Sequence, residues 1–85
     1  MEESNSITWI RVNIGEGMFS TENAVYLDLY NGKTVSFFAD KELLREDRGR
    51  WLLKVRTIKR NHNSQLVLLP IETFETSTRW AEVPL

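Results

Sequence analysis

Apolar and polar residues alternate with a period of two along most of this chain, a pattern that predicts strands. Over residues 7–14, Ile10, Val12 and Ile14 fall on one face, and Ile7, Trp9, Arg11 and Asn13 on the other. Gly15-Glu16-Gly17 breaks the alternation and opens a loop running to Asn23. Residues 24–30 and 33–39 then flank Asn31-Gly32, a strong hairpin signal, because a type I′ turn needs positive φ at both turn residues. A two-residue turn pairs Tyr30 with Lys33 and Leu27 with Ser36. Val25, Leu27, Leu29, Thr34, Ser36 and Phe38 then share the core face. The opposite face, with Tyr26, Val35 and Phe37, is far from polar and calls for a cover or a partner.

In the second half, Asp40 is placed to cap a short helical segment over residues 41–44, which Gly49 ends. Strands are expected over residues 51–60 and 65–71, joined by a turn at Asn61-His62-Asn63-Ser64 in which asparagine tolerates left-handed geometry. Leu66, Val67, Leu68 and Leu69 are apolar on both faces, and Pro70 ends the strand. A last strand covers residues 79–83, stopped by Pro84. The expected core is Ile10, Val12, Val25, Leu27, Leu29, Phe38, Leu53, Val55, Leu66 and Leu68. The fold expected is mainly β, a small antiparallel open barrel, SH3-like or Sm-like, of five to six strands with one short helical turn. No repeat or linker interrupts it, so residues 1–85 read as one domain, with 1–6 disordered.

The run from Val25 through Asn31, Gly32 and Lys33, followed by Asp40, resembles the first motif of the Sm family, whose strand ends in Asn/Asp-Gly. Ser36 stands where that family bends at a glycine, and residues 61–85 hold no second motif. No RNA-contacting residue is therefore carried over.

Composition narrows the chemistry. A chain of 85 residues buries only roughly 60–65% of its unfolded surface, so the core is thin. There is no cysteine and a single histidine, His62, which excludes disulfides and a Cys/His zinc site. Three Trp, four Phe and two Tyr supply packing in their place, because each buried ring removes a large area from water. The polar start shows no secretory pattern, and the apolar run over residues 66–71 is too short to span a bilayer. A cytoplasmic location with no membrane partner is the expectation.

Catalytic constellations are absent from the pattern. His62 lies in a turn with no nucleophile pattern around it. The carboxylate pairs Glu72/Glu75 and Glu46/Asp47 stand among loop-like or charged residues that favour solvation. Gly15-Glu16-Gly17 lacks the rest of a phosphate-binding fingerprint, and no stretch has the order of a calcium loop. No enzyme activity, cofactor or metal is expected.

Charge is uneven. Residues 1–40 hold two basic and six acidic side chains (net −4), residues 41–62 eight and three (net +5), and residues 63–85 one and three (net −2). On the strand at 51–60, Trp51, Leu53, Val55 and Thr57 take one face. Arg50, Lys54, Arg56 and Arg60 take the other, interrupted by Leu52 and Ile58. Alternate residues stand about 6.6–6.8 Å apart on a strand, comparable to the phosphate step of a nucleic acid. Trp9, Tyr26, Tyr30 and Trp80 are candidate stacking aromatics.

The negative net charge and the flanking acidic segments argue against a polyanion. The mix of Arg, Leu, Ile and Tyr suits a protein interface. The candidate surface is Arg50, Leu52, Lys54, Arg56, Ile58, Arg60, Tyr26 and Tyr30. The expected function is a non-enzymatic β-barrel module acting through a protein partner, itself included. The alternative is single-stranded nucleic-acid binding through the basic strand, and a small enzyme ranks third.

Overall fold

The computed structural model describes residues 6–85; the expectation of disorder for residues 1–6 lies outside them except at Ser6, whose carbonyl accepts the Thr57 amide at 2.8 Å. The period-two segments form antiparallel strands: β1 (Ile7–Glu16), β2 (Glu22–Asp28), β3 (Thr34–Asp40), β4 (Leu44–Asp47), β5 (Arg50–Arg60), β6 (Ser64–Leu68) and β7 (Trp80–Pro84), with a 3-10 turn at Lys41–Leu43. Six of them run in the order β3-β2-β1-β5-β6-β7, and β4 pairs with β5 beside this path. β1 is the bent strand that makes the sheet curl. Its first half, Ile7 to Val12, pairs with β5, and its second half, Asn13 to Glu16, pairs with β2. The sheet thereby becomes a half-barrel, and the Tyr30 amide closes its seam by donating to the Glu82 carbonyl of β7 at 2.9 Å. No helix among the described residues is long and apolar enough to cross a membrane.

The β2–β3 hairpin forms, but not with the two-residue turn. Gly32 has φ of 86°, whereas Asn31 is not among the residues with positive φ. The Gly32 amide donates to the Leu29 carbonyl at 3.0 Å, and the Leu29 amide to the Lys33 carbonyl at 2.7 Å. This is a three-residue loop, a turn at Tyr30-Asn31 followed by a left-handed glycine, with the Asn31 side chain accepting the Lys33 amide at 2.9 Å. The extra residue moves the register by one, so Leu27 opposes Val35 and Val25 opposes Phe37. A one-residue shift turns every side chain of a strand over. Val35, Phe37 and Ala39 therefore enter the core, and Phe38 faces outward, half-buried.

The type I′ geometry occurs instead between β4 and β5, where Arg48 (φ 55°) and Gly49 (φ 78°) both lie in the left-handed region. The expected helical segment is thus one 3-10 turn followed by a strand. Asp40 makes no side-chain cap there; the Lys41 amide donates to the Thr21 carbonyl at 2.9 Å instead. None of the residues in the 61–64 turn takes positive φ.

Strand β6 also shows the reverse of the expected face. Val67 and Leu69 are fully buried while Leu66 and Leu68 are half-exposed. With both faces apolar, the local pattern leaves the choice to the neighbouring strand. Leu68 opposes Arg56 and Val67 opposes Thr57, and cross-strand partners share a face. Gln65 consequently points inward, where it accepts the Thr57 hydroxyl at 3.1 Å. Ile10, Val12, Val25, Leu27, Leu53 and Val55 are buried as expected, and Leu29 packs against them from the margin.

Candidate functional site

Alternation on β5 puts Trp51, Leu53, Val55 and Thr57 toward the core and Arg50, Leu52, Lys54 and Arg56 outward. A bulge then interrupts the ladder between Thr57 and Lys59. Ile58 is the additional residue, half-buried, and the inserted position inverts the alternation beyond it. Lys59 opposes the outward Leu66, while Arg60 opposes the inward Gln65. Arg60 therefore leaves the stripe and Lys59 joins it.

Neighbouring strands convert this stripe into a face. Ile7, Arg56, Leu68 and Trp80 form one row across β1, β5, β6 and β7, about 14 Å wide at ordinary strand spacing. Trp9 and Lys54 form the next row, and Arg11, Leu52 and Arg45 the third. Ile7 and Trp80 each remain 51% exposed at the two ends of their row. Arg45 reaches across β5, bringing its guanidinium carbon to 4.3 Å from the centre of the Trp9 ring, a cation–π contact. It fixes one cation over the middle of the face and covers one aromatic that sequence reasoning offered for stacking.

Among the described residues, the acidic flanks do not pair with these cations. The cross-strand neighbours of Lys54 and Arg56 are Trp9, Ile7 and Leu68. Among the described residues, no carboxylate forms an ion pair with Arg11, Lys54, Arg56 or Lys59. Arg50 sits apart at the hairpin tip, where its cross-strand neighbour is Asp47. The carboxylate of Glu82 accepts the Ser64 hydroxyl at 2.7 Å.

Tyr26 and Tyr30 lie beyond these rows, although Tyr26 points outward beside Asn13 and shares a cleft with Arg11. Tyr26 lies on β2, opposite Asn13 and Ser36, and borders a cleft of about 300 Å³ where β1 and β2 diverge. Tyr30 occupies the hairpin loop at the barrel seam. In their place the fold brings in Ile7, Trp9, Arg11, Arg45, Leu68 and Trp80. The outward alternation of Ile7, Trp9 and Arg11 was readable in β1. That β1 lies beside β5 is a long-range pairing with no local signal.

His62 is exposed in its turn, and no group of three or more metal-ligating side chains occurs among the described residues. Glu75 has a structural partner. Its carboxylate accepts both the Ser36 hydroxyl and the Ser36 amide at 2.6 Å, which hold it below the usual carboxylate range, the hydroxyl contributing most. Comparison with protein-family models, with curated proteins and with solved structures returned no match.

Proposed function

We propose that this protein is a non-enzymatic interaction module whose outer face over β1, β5, β6 and β7 docks a protein partner carrying acidic and apolar side chains. One observation carries the reading. A half-exposed apolar row, Ile7, Leu68 and Trp80, lies beside Lys54 and Arg56, whose cross-strand neighbours include no carboxylate. Trp and Arg are the side chains most enriched at binding hot spots. Like-charge juxtaposition is costly at an interface. Two copies meeting face to face would set Arg11, Arg45, Lys54 and Arg56 against their own duplicates, so a carboxylate-bearing partner fits better than self-pairing.

A second reading, single-stranded nucleic acid, draws on the same cations, which form no ion pair among the described residues, and on the exposed ring of Trp80. The two readings part on salt and on Leu52. Phosphate binding weakens steeply with salt through counterion release, whereas apolar burial does not. Short random peptides displayed on phage and selected at physiological salt should yield sequences combining Asp or Glu with Leu, Phe or Trp. Leu52→Asp and Trp80→Ala should each abolish their capture without unfolding the protein. Micromolar binding of a single-stranded oligonucleotide at that salt, lost in Lys54→Ala/Arg56→Ala, would replace the first reading by the second.

A further inference from the structure

β4 and β6 lie on the same edge of β5 but do not meet. β4 covers Arg50 to Leu53 and β6 covers Arg56 to Arg60, so Lys54 and Val55 fall in the gap. On one side of that gap the chain enters β4 through Leu43, and on the other it leaves β6 through Leu69. The result is a notch of about 160 Å³ bordered by Leu43, Val55 and Leu69 and by the cations Lys54, Arg56 and Arg79. Val55 and Leu69 are buried, whereas all three cations are exposed.

Arg79 is held in place from both ends. Its carbonyl accepts the Leu69 amide at 2.8 Å, and its Nε–H donates to the Leu69 carbonyl, also at 2.8 Å. Its two Nη groups make no bond among the described residues. A guanidinium fixed through Nε with Nη donors left over is prepared to bind an oxyanion in a planar, directional way. Lys54 likewise has no partner among the described residues.

From this we infer that the notch is an anion site for a carboxylate carried next to a small branched apolar group. That is the chemistry of an Asp or Glu beside a Leu, Ile or Val in an extended partner segment. Among the described residues no aromatic side chain borders the notch to stack a base, which argues against a nucleotide. The exposed Ile7 and the half-buried Leu43 and Leu68 also border the notch, and a bare phosphate would leave their apolar surface wet. This inference rests on the docking reading above and names the group that anchors the partner.

The test uses the full chain and three small probes, isovalerate, isovaleramide and inorganic phosphate, followed by NMR. Isovalerate should shift the Ile7, Leu43 and Leu68 methyl signals and the Arg79 Nε signal saturably. Isovaleramide, which lacks the charge, should bind at least ten-fold more weakly, and phosphate should leave the methyl signals in place. Arg79→Gln also removes a bond to the Leu69 carbonyl, so Lys54→Gln and Arg56→Gln are the cleaner variants. Each should weaken isovalerate several-fold with the remaining spectrum unchanged. Equal affinity for isovaleramide, tighter binding of phosphate at the same signals, or full affinity in Lys54→Gln/Arg56→Gln would each overturn the site. If isovalerate leaves every signal unmoved while Leu52→Asp still abolishes peptide capture, the notch fails and the docking face stands.

Discussion

The outward surface of β3 and that of β5 carry comparable material but are finished differently. β3 presents Ser36 and the ring of Phe38 on its outer side, at the end of the strand order where backbone groups invite pairing. The segment between β6 and β7 closes both. The Phe74 amide donates to the Ser36 carbonyl at 2.9 Å, and Glu75 takes the Ser36 amide. The Phe74 ring meets Phe38 edge-on, with centroids 5.6 Å apart at 81°. At the outer face of β5, by contrast, Lys54, Arg56, Leu68 and Trp80 meet no such covering segment among the described residues. The loop covers one aromatic surface and leaves the other open, and the open one carries cations with no carboxylate partner among the described residues. An exposed apolar patch rimmed by charge is what an interaction site looks like on a small protein.

The largest expected effect tests the sealed side. Phe37 is only 1% exposed, so Phe37→Ala should cost about 3–5 kcal/mol, the range for deleting a core aromatic. Phe38→Ala removes a half-buried ring and its edge contact with Phe74, for about 1–2 kcal/mol. Urea unfolding of the two variants distinguishes the registers directly. Equal costs, or a larger cost at Phe38, would restore the two-residue turn and dissolve the contrast between the surfaces.

That pair also marks how far the sequence could be read. Every strand but β4, the presence of a hairpin around Asn31-Gly32 and the inward faces of β1, β2 and most of β5 follow from alternation alone. The faces of β3 and β6 do not. Val35 and Phe37 compete with Ser36 and Phe38 on near-equal terms, as Val67 and Leu69 do with Leu66 and Leu68. In such stretches one residue in a turn, or the face of a neighbouring strand, decides which set is buried. The candidate face was half legible. Leu52, Lys54 and Arg56 came from the pattern of β5, but Arg60 was lost at a bulge that no local feature announces. Ile7, Trp9 and Trp80 arrived through pairings distant in sequence.

A smaller effect concerns how the seal responds to pH. Glu75 receives the Ser36 hydroxyl and amide only in the folded chain, so its folded pKa lies below the usual 4.5. A carboxylate with a depressed folded pKa adds stability that is complete above its unfolded value and is lost as pH falls through the folded one. Glu75→Gln keeps an acceptor for the amide but cannot titrate. The urea midpoint of the natural protein should therefore exceed that of Glu75→Gln at neutral pH. The gap should narrow once pH drops below 4.5. A gap that ignores pH would detach Glu75 from the closing of β3.

The smallest effect is the most informative about the open side. Lys54 and Arg56 lie two positions apart on one strand, about 6.6–6.8 Å between α-carbons. Two like charges at that separation repel by roughly 0.6 kcal/mol in water, and salt screens this further. Their cross-strand neighbours are Trp9, Ile7 and Leu68, so among the described residues no ion pair with a carboxylate offsets the repulsion, and the packing of their aliphatic stems does. Lys54→Gln/Arg56→Gln should then leave stability within about 0.5 kcal/mol of the natural protein, with any gain fading as salt is added. The same variant should lose acidic peptides captured at physiological salt. That pair of outcomes is what the proposed docking reading requires of charges that the fold does not need. A loss of more than about 1 kcal/mol on removing them would show instead that the cations hold the sheet together. The face of β5 would then be an ordinary solvated surface.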